Sequence, residues 1–239
     1  MSEWKAKRFW KEVGVTEAEG GYSILLDARP LRSPHKTLVV LPNTALAEAV
    51  AEEWAAQQGV IDPGRMPMTR MANSALDKLA HQRAEVIGYL AGYAETDLLC
   101  YRATAPEALV ARQAEHWEPV LDWAHRTFDA RLTVVQGVMP VAQPEQALQR
   151  LAQVLHGFDD FALTGMHDLV SLSGSMVLAL ALTQGHLSVD QAWTLSCLDE
   201  TWQAEQWGED DESAKAAELK RAAFLDAWRF FRLSFGQAA

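Results

Sequence analysis

The feature that most constrains the fold is a change of pattern near residues 61–64. Before it, residues 22–26 alternate as in a half-buried strand, and the Gly20-Gly21 pair marks a turn. After it, apolar residues recur at helical spacing to the end of the chain. We therefore predict an α+β fold, with a small antiparallel β-rich N-terminal domain that includes one helix over residues 1–62. A larger all-helical domain follows over residues 63–239.

Capping residues and apolar periodicity set the helix bounds. Asn43 or Thr44 starts the helix of the N-terminal domain, which runs to about Gln58. The later predicted helices cover approximately residues 68–80, 82–93, 106–128, 144–156, 160–172, 175–182, 189–207 and 212–233.

The charge balance excludes two classes of partner. The formal net charge of −11 argues against nucleic acid, which needs a basic face, and against an anionic membrane surface. The most apolar segment, residues 170–182, is shorter than the roughly 20 residues of a membrane-spanning helix. The N-terminus shows neither a signal core nor a transit peptide, so we predict a bacterial cytoplasmic protein. Cys100 and Cys197 lie far apart without ligand-like neighbours, and we interpret them as reduced thiols.

The most informative stretch lies near the C-terminus, over residues 198–212. Ser188 and Gln191 form a predicted capping box, so a helix should begin at about Val189. Trp193, Glu200, Gln203 and Trp207 fall on the face opposite its apolar stripe. These residues either contact a partner, or the aromatics pack on a neighbouring helix with Glu200 as a solvated rim charge.

A run of carboxylates closes this stretch: Glu205, Glu209, Asp210, Asp211 and Glu212. A solvated helix start comes first among its interpretations, since the helix dipole favours acids there. Contact with a basic protein surface comes close behind. Binding of a divalent cation comes last, and it would make the chain a metal-assisted hydrolase that uses the cluster around Glu200–Glu212.

Motifs for other chemistries are missing from the sequence. It has no phosphate-binding loop and no dinucleotide fingerprint, so we predict no cofactor. Gly174-Ser175 lacks the flanking glycine of a nucleophile elbow and is interpreted as a packing device. The histidines do not pair at the spacing of a helical zinc site, and we predict no metal.

Several strings, in order and spacing, resemble one known family across residues 8–231. They are Arg29-Pro30-Leu31-Arg32-Ser33-Pro34, Glu53-Trp54, Ile61-Asp62-Pro63, Met66-Pro67-Met68-Thr69-Arg70-Met71-Ala72-Asn73, Glu95-Thr96-Asp97-Leu98-Leu99-Cys100-Tyr101-Arg102-Ala103, Gly174-Ser175, and Asp199-Glu200 with Gln203 and Trp207-Gly208-Glu209-Asp210. The family is that of the ATP12-type assembly chaperones of the F1 sector of ATP synthase. Ala28 stands where the family's turn would have glycine.

The resemblance implies a chaperone and no catalysis. Such chaperones bind the unassembled α subunit of F1 and cover the surface that the β subunit later covers. β then displaces the chaperone as the hexamer forms. Eukaryotic members work in the mitochondrial matrix. The implied architecture, a small β-rich domain before a larger helical one, agrees with the pattern above, and no long heptad run requires a dimer, so we expect a monomer.

On this resemblance we expect Glu200, Gln203, Trp207, Glu209 and Asp210 to contact the α subunit. An aromatic anchor within a polar rim suits a partner that is later released. Trp54 and Arg70 are assigned to the fold and the domain junction. Asp97 and Arg102 are expected to pair across a turn.

Overall fold

The computed structural model describes residues 7–137, 139–208 and 210–237. Regular strands lie mostly before the first helix, and helices occupy most of the chain after it. The predicted α+β fold class is confirmed. Among the described residues, no helix is long and apolar enough to cross a membrane.

The N-terminal sheet has four antiparallel strands: β1 (Val13–Ala18), β2 (Gly21–Leu26), β3 (Arg29–Pro30) and β4 (Val40–Leu41). Strand β2 is central, because it pairs with each of the other three. The predicted turn before it depends on glycine. Gly21 has a φ of +153°, and a Cβ there would lie 2.1 Å from the backbone oxygen of Leu41. Any side chain at this position would therefore prevent β4 from pairing with β2.

Helix α1 (Thr44–Ala55) begins where the sequence predicts. The side chain of Asn43 accepts a hydrogen bond from the backbone N–H of Leu46 at 3.0 Å. Its amide group also donates to the backbone oxygens of Leu233 and Ser234. One side chain thus caps a helix and binds a segment 190 residues away.

Glu53, near the end of α1, caps the next helix, α2 (Pro67–Ser74). Its carboxylate accepts hydrogen bonds from the backbone N–H groups of Met68 and Thr69, each at 2.7 Å, and from the Thr69 hydroxyl. The first N–H groups of a helix have no partner within the helix, so an acidic side chain from a neighbour stabilises its start. Burial raises the pKa of Glu53, and these hydrogen bonds oppose the rise.

The structure divides the chain into two compact units. Unit 1 comprises the described residues up to Arg83, together with Asp159–Gly165 and those from Asp226 onward. Its core joins sheet residues such as Ile24 and Leu41 to Met68, Phe230 and Leu233. This division differs from the predicted boundary between residues 62 and 63, because distant helical residues complete the apolar core of the sheet.

Trp54 and Arg70 both belong to unit 1. Trp54 packs against this core, and its ring lies 5.1 Å from that of Trp10. Arg70 is exposed, and its charge acts on the carboxyl group of Asp226. Trp54 therefore contributes to the core of unit 1, in line with its assignment to the fold.

Unit 2 comprises Ala84–Phe158 and Met166–Leu225 and is mainly helical. A π-helical turn, Ala75–Leu79, and a 3-10 turn, Leu98–Cys100, flank the first of the later helices. Those helices are α3 (Ala80–Glu95), α4 (Glu107–Phe128), α5 (Glu145–His156), α6 (Asp160–Ser173), α7 (Met176–Thr183), α8 (Val189–Ser196), α9 (Leu198–Trp207) and α10 (Asp211–Ser234). The π-helical turn belongs to unit 1, and α3, α6 and α10 contain residues of both units. Two short parallel strands, β5 (Tyr101–Arg102) and β6 (Val135–Gln136), lie in unit 2.

A buried carboxylate holds part of unit 2 together. Asp97 accepts hydrogen bonds from the Ser175 hydroxyl at 2.7 Å, from Val177 N–H at 3.0 Å and from Leu99 N–H at 3.1 Å. It therefore supports both the 3-10 turn and the start of α7. Burial raises the pKa of Asp97 to about 6, and the hydrogen bonds from Ser175 and the backbone oppose the rise. The adjacent Gly174, with a φ of +71°, accepts from Leu98 N–H through its carbonyl.

The expected pairing of Asp97 with Arg102 is wrong. The donors around Asp97 are Ser175 and backbone N–H groups. Arg102 instead donates through Nε to the carbonyl of Leu99 at 2.8 Å, and its guanidinium lies 5.3 Å from the Trp117 ring centroid. The carboxylate of Asp97 is stabilised by hydrogen bonds from N–H groups at two helix starts and does not pair with the guanidinium of Arg102.

Candidate functional site

The capping box predicted before Val189 is confirmed. Gln191 N–H donates to the Ser188 hydroxyl at 3.2 Å, and Ser188 N–H donates to the Gln191 side-chain oxygen at 2.8 Å. The helix that follows is shorter than the pattern indicates. It is interrupted at Cys197, with φ −108° and ψ 19°, so that α8 ends and α9 begins there.

Helix α9 carries three of the five predicted contact residues on an uncovered surface. Leu198 is its one fully buried residue. Glu200, Gln203 and Trp207 are all exposed, and the Trp207 side chain is exposed to 78%. Tryptophan is enriched among the residues that dominate binding energy, so an exposed tryptophan beside polar side chains is a candidate contact. The helix ends at Gly208, which has a φ of +83°.

The other two predicted residues follow α9. Asp210 is exposed and caps α10, since its Oδ1 atom accepts from the N–H groups of Glu212 and Ser213 at 3.0 Å each. The hydrogen bonds from Ser213 lower the pKa of Asp210. Sequence reasoning missed this capping role, although an aspartate three residues before Ser213 is a recognisable signal. Glu209 lies outside the described residues.

Side chains of helix α4 bind side chains of α9. Gln113 donates to the Asp199 carboxylate at 2.7 Å. Arg112 forms an ion pair with Glu205 at 2.8 Å, and its guanidinium lies 4.9 Å from the ring centroid of Trp202. These contacts fix the orientation of α9 while leaving its outer face free. They were not predicted, because the partners are up to 93 residues apart in sequence.

The first half of α10 is also uncovered. Most residues from Asp211 to Ala223 are exposed, and Leu219 is exposed to 74%. We call residues 198–223, which contain α9 and the first half of α10, the α9–α10 segment. Residues 198–223 contain eight acidic and three basic side chains, so the segment carries a net charge of −5.

A groove of about 650 Å³ lies between α9 and α10. Its lining is mostly small or apolar and includes four charged side chains: Trp193, Cys197, Glu200, Thr201, Ala204, Ser213, Ala216, Ala217, Glu218, Lys220 and Arg221. Trp193 is held in place by Phe224, at 5.5 Å between ring centroids. Glu200 thus borders the groove as well as the open face of α9.

The part of the chain that the structure describes contains no group of side chains that supports the metal-binding alternative. Within residues 7–137, 139–208 and 210–237, no three His, Cys, Asp or Glu side chains are grouped so that they could hold a metal ion. Two acids of the cluster are instead engaged separately, Glu205 in an ion pair and Asp210 in a helix cap.

Cys100 and Cys197 are both free thiols. Cys100 is fully buried, and burial raises its pKa to about 12. Cys197 is only partly buried and lines the groove, and burial also raises its pKa.

Comparison with known proteins identifies the class. Residues 7–125 match the family model described as ATP12 chaperone protein. The structure of Atp12 from Paracoccus denitrificans is 50% identical, with a TM-score of 0.92 over 97% of this chain and 100% of that one. A protein from Agrobacterium tumefaciens is 44% identical, with a TM-score of 0.91 over 95% of this chain and 85% of that one. Protein atp12, mitochondrial, of Schizosaccharomyces pombe is 24% identical over 90% of this chain and 78% of its own length.

The fold and these relatives define a chaperone. The chain belongs to the ATP12 chaperone family, and the family predicted from its sequence strings is confirmed.

Proposed function

We propose that this chaperone acts in assembly of the F1 sector of ATP synthase, where it binds the unassembled α subunit. It covers the surface of α that faces β, prevents aggregation, and leaves when β takes its place. It performs no catalysis. The observation that carries this proposal is the uncovered, acidic and aromatic α9–α10 segment on a member of the ATP12 chaperone family.

Trp207 is the anchor of the proposed interface. It is exposed to 78%, so a partner that covers it removes most of a large apolar side chain from water. Tryptophan is enriched among residues that dominate binding energy, and burying such a side chain contributes about 2 kcal/mol or more. Burial of Trp207 would therefore supply a large part of the binding energy of the complex.

Glu200, Gln203 and Asp210 are the polar residues of the proposed interface, and Glu209, which lies outside the described residues, is kept as a further proposed contact. Glu200 and Gln203 precede Trp207 by two turns and one turn of the same helix. Asp210 caps α10 and is exposed, so its carboxylate lies at the surface that the α subunit would approach. Rim charges mainly affect the association rate and the choice of partner, which suits a complex that must later dissociate.

The contacts from α4 prepare this surface for binding. Because Gln113 and Arg112 fix Asp199 and Glu205, α9 loses little conformational freedom when the α subunit binds. We therefore assign Gln113 and Arg112 as positioning residues rather than as contacts.

We also propose that the chain acts as a monomer in a bacterial cytoplasm. Two relatives that are 44% and 50% identical come from bacteria. Unassembled α subunit is present in the compartment where it is synthesised or imported, and the chaperone must meet it there.

The test is co-purification of F1 subunits with the tagged chain from its own cells. Wild type is compared with Glu200→Lys, Trp207→Ala and the control Glu85→Lys, which changes the same charge at an exposed position of α3. We expect wild type and the control to recover α without β, and both α9 variants to recover at least about tenfold less. Recovery of α by all four proteins would move the interface elsewhere. Failure of wild type to recover α would overturn the proposed function.

A further inference from the structure

The groove between α9 and α10 has features that the open face of α9 lacks. Its walls carry Ala204, Ala216 and Ala217, whose short side chains allow another chain to approach closely. Trp193 supplies a large apolar surface at the same groove. A volume of about 650 Å³ lies within the roughly 300–1,000 Å³ that is typical of pockets for drug-sized ligands.

The four charged side chains that line the groove differ in whether they form an ion pair. Arg221 pairs with Asp190 at 2.9 Å, whereas Lys220, whose ammonium lies 6.0 Å from the Trp193 ring centroid, keeps its charge. Glu200 and Glu218 are exposed, and no ion pair within 4.0 Å involves either of them in the described part of the chain. The charges of the lining that are not ion-paired are therefore two carboxylates and one ammonium, within a segment of net charge −5.

We infer that this groove binds a basic amphipathic segment of the client. Its apolar side chains would enter between Ala204, Ala217 and Trp193, and its Lys or Arg side chains would meet Glu200 and Glu218. This inference rests on the proposed function for the identity of the client, the F1 α subunit, and adds the chemistry of the segment that is recognised. Amphipathic helices commonly bind by laying their apolar face in a hydrophobic groove.

The two cysteines provide a direct test in the wild-type chain. Cys197 lines the groove, whereas Cys100 is fully buried and serves as an internal reference. Iodoacetamide is added at pH 8.5 with and without purified α subunit, and the alkylation of each cysteine is followed by mass spectrometry. At a client concentration about ten times Kd, a segment in the groove slows alkylation of Cys197 about tenfold.

A matched pair of variants tests the groove independently of the thiol. Ala217 lines the groove and Ala222 does not, and both are exposed on α10. Ala217→Trp fills the groove and should weaken binding of the α subunit at least about tenfold, whereas Ala222→Trp should not. Equal melting temperatures of both variants show that folding is intact.

Peptides separate failure of this inference from failure of the proposed function. An 18-residue Leu/Lys amphipathic helix should protect Cys197, and a Leu/Glu helix of the same pattern should not. Protection should weaken between 0.05 and 0.5 M salt, because surface charges are screened. If α binds but neither α nor the Leu/Lys peptide protects Cys197, the groove inference is overturned and the proposed function stands. If α does not bind, the proposed function fails, and protection by the Leu/Lys peptide alone still decides whether the groove binds basic segments.

Discussion

Two acidic residues of unit 2, Asp97 and Glu200, show how the same chemistry serves opposite purposes. Asp97 is fully buried and accepts hydrogen bonds from Ser175, Val177 and Leu99. Glu200 is exposed at the edge of an open groove. Both lie in strings that resemble the same family, so sequence similarity does not distinguish them. Burial and partners decide that Asp97 maintains the fold and that Glu200 is available for binding.

The residues around Asp97 are also mostly buried, and those around Glu200 are mostly exposed. The backbone donors near Asp97 belong to a 3-10 turn and to the start of α7, whose residues are almost all buried. Around Glu200, α9 buries only Leu198, and the first half of α10 is largely exposed. A chaperone needs a stable scaffold and an exposed surface that can bind its client. The region around Asp97 supplies the scaffold, and the region around Glu200 supplies the exposed surface.

The largest effect should come from Asp97→Ala. It removes the acceptor for buried donors at two helix starts, and we expect the free energy of unfolding to fall by about 3–5 kcal/mol. Urea denaturation of the variant beside Asp122→Ala, at an exposed position of α4, measures the difference. A loss below about 1 kcal/mol would mean that water replaces the carboxylate.

A smaller effect should appear in the pH dependence. Burial raises the pKa of Asp97 from 3.8 to about 6, so the folded state binds this proton more tightly than the unfolded state. The stability from this group is complete below about pH 4 and is lost as pH rises through 6, by about 3 kcal/mol. Unfolding of wild type and Asp97→Asn between pH 4 and 7 should show the difference in slope.

The Asp97→Asn variant should be less stable overall, because its amide N–H₂ faces other donors. Burial also raises the pKa values of Glu53 and Asp226, so a weaker slope of the same sign should remain in the variant. Equal slopes in both proteins would contradict a raised pKa at Asp97.

Glu53→Gln should have an intermediate effect within unit 1. The amide keeps one acceptor for the start of α2 and loses the charge, so we expect about 1–2 kcal/mol of destabilisation. Glu52→Gln is the matched control, since Glu52 is exposed and its contact with Arg229 is 3.8 Å long. Thermal unfolding of both variants compares them, and equal melting temperatures would show that the cap contributes little.

The smallest effect on stability should come from Trp207→Ala. Its side chain is exposed to 78%, so the free energy of unfolding should change by less than about 0.5 kcal/mol. The same variant should lose most of its binding to the α subunit. A large loss of stability would instead place Trp207 in the fold, and the contrast between the two regions would fail.

Local patterns determined much of the architecture. The alternation of residues 22–26 gave the central strand, and the spacing of Ser188 and Gln191 gave the start of α8. Asn43 was identified as a possible helix cap for the same reason. These features depend on neighbours within a few residues, which the sequence displays directly. The exposed residues Glu200, Gln203 and Trp207 were found because they share one face of one helix.

Only the tertiary structure decided which distant groups meet. Asp97 binds Ser175 rather than Arg102, Glu53 caps a different helix, and Gln113 fixes Asp199 from 86 residues away. The break at Cys197 and the groove that it borders were likewise not apparent from the sequence. Periodicity reports which face of an element is apolar. It does not report which element packs against that face, because that choice depends on the shape and the hydrogen-bonding groups of the whole core.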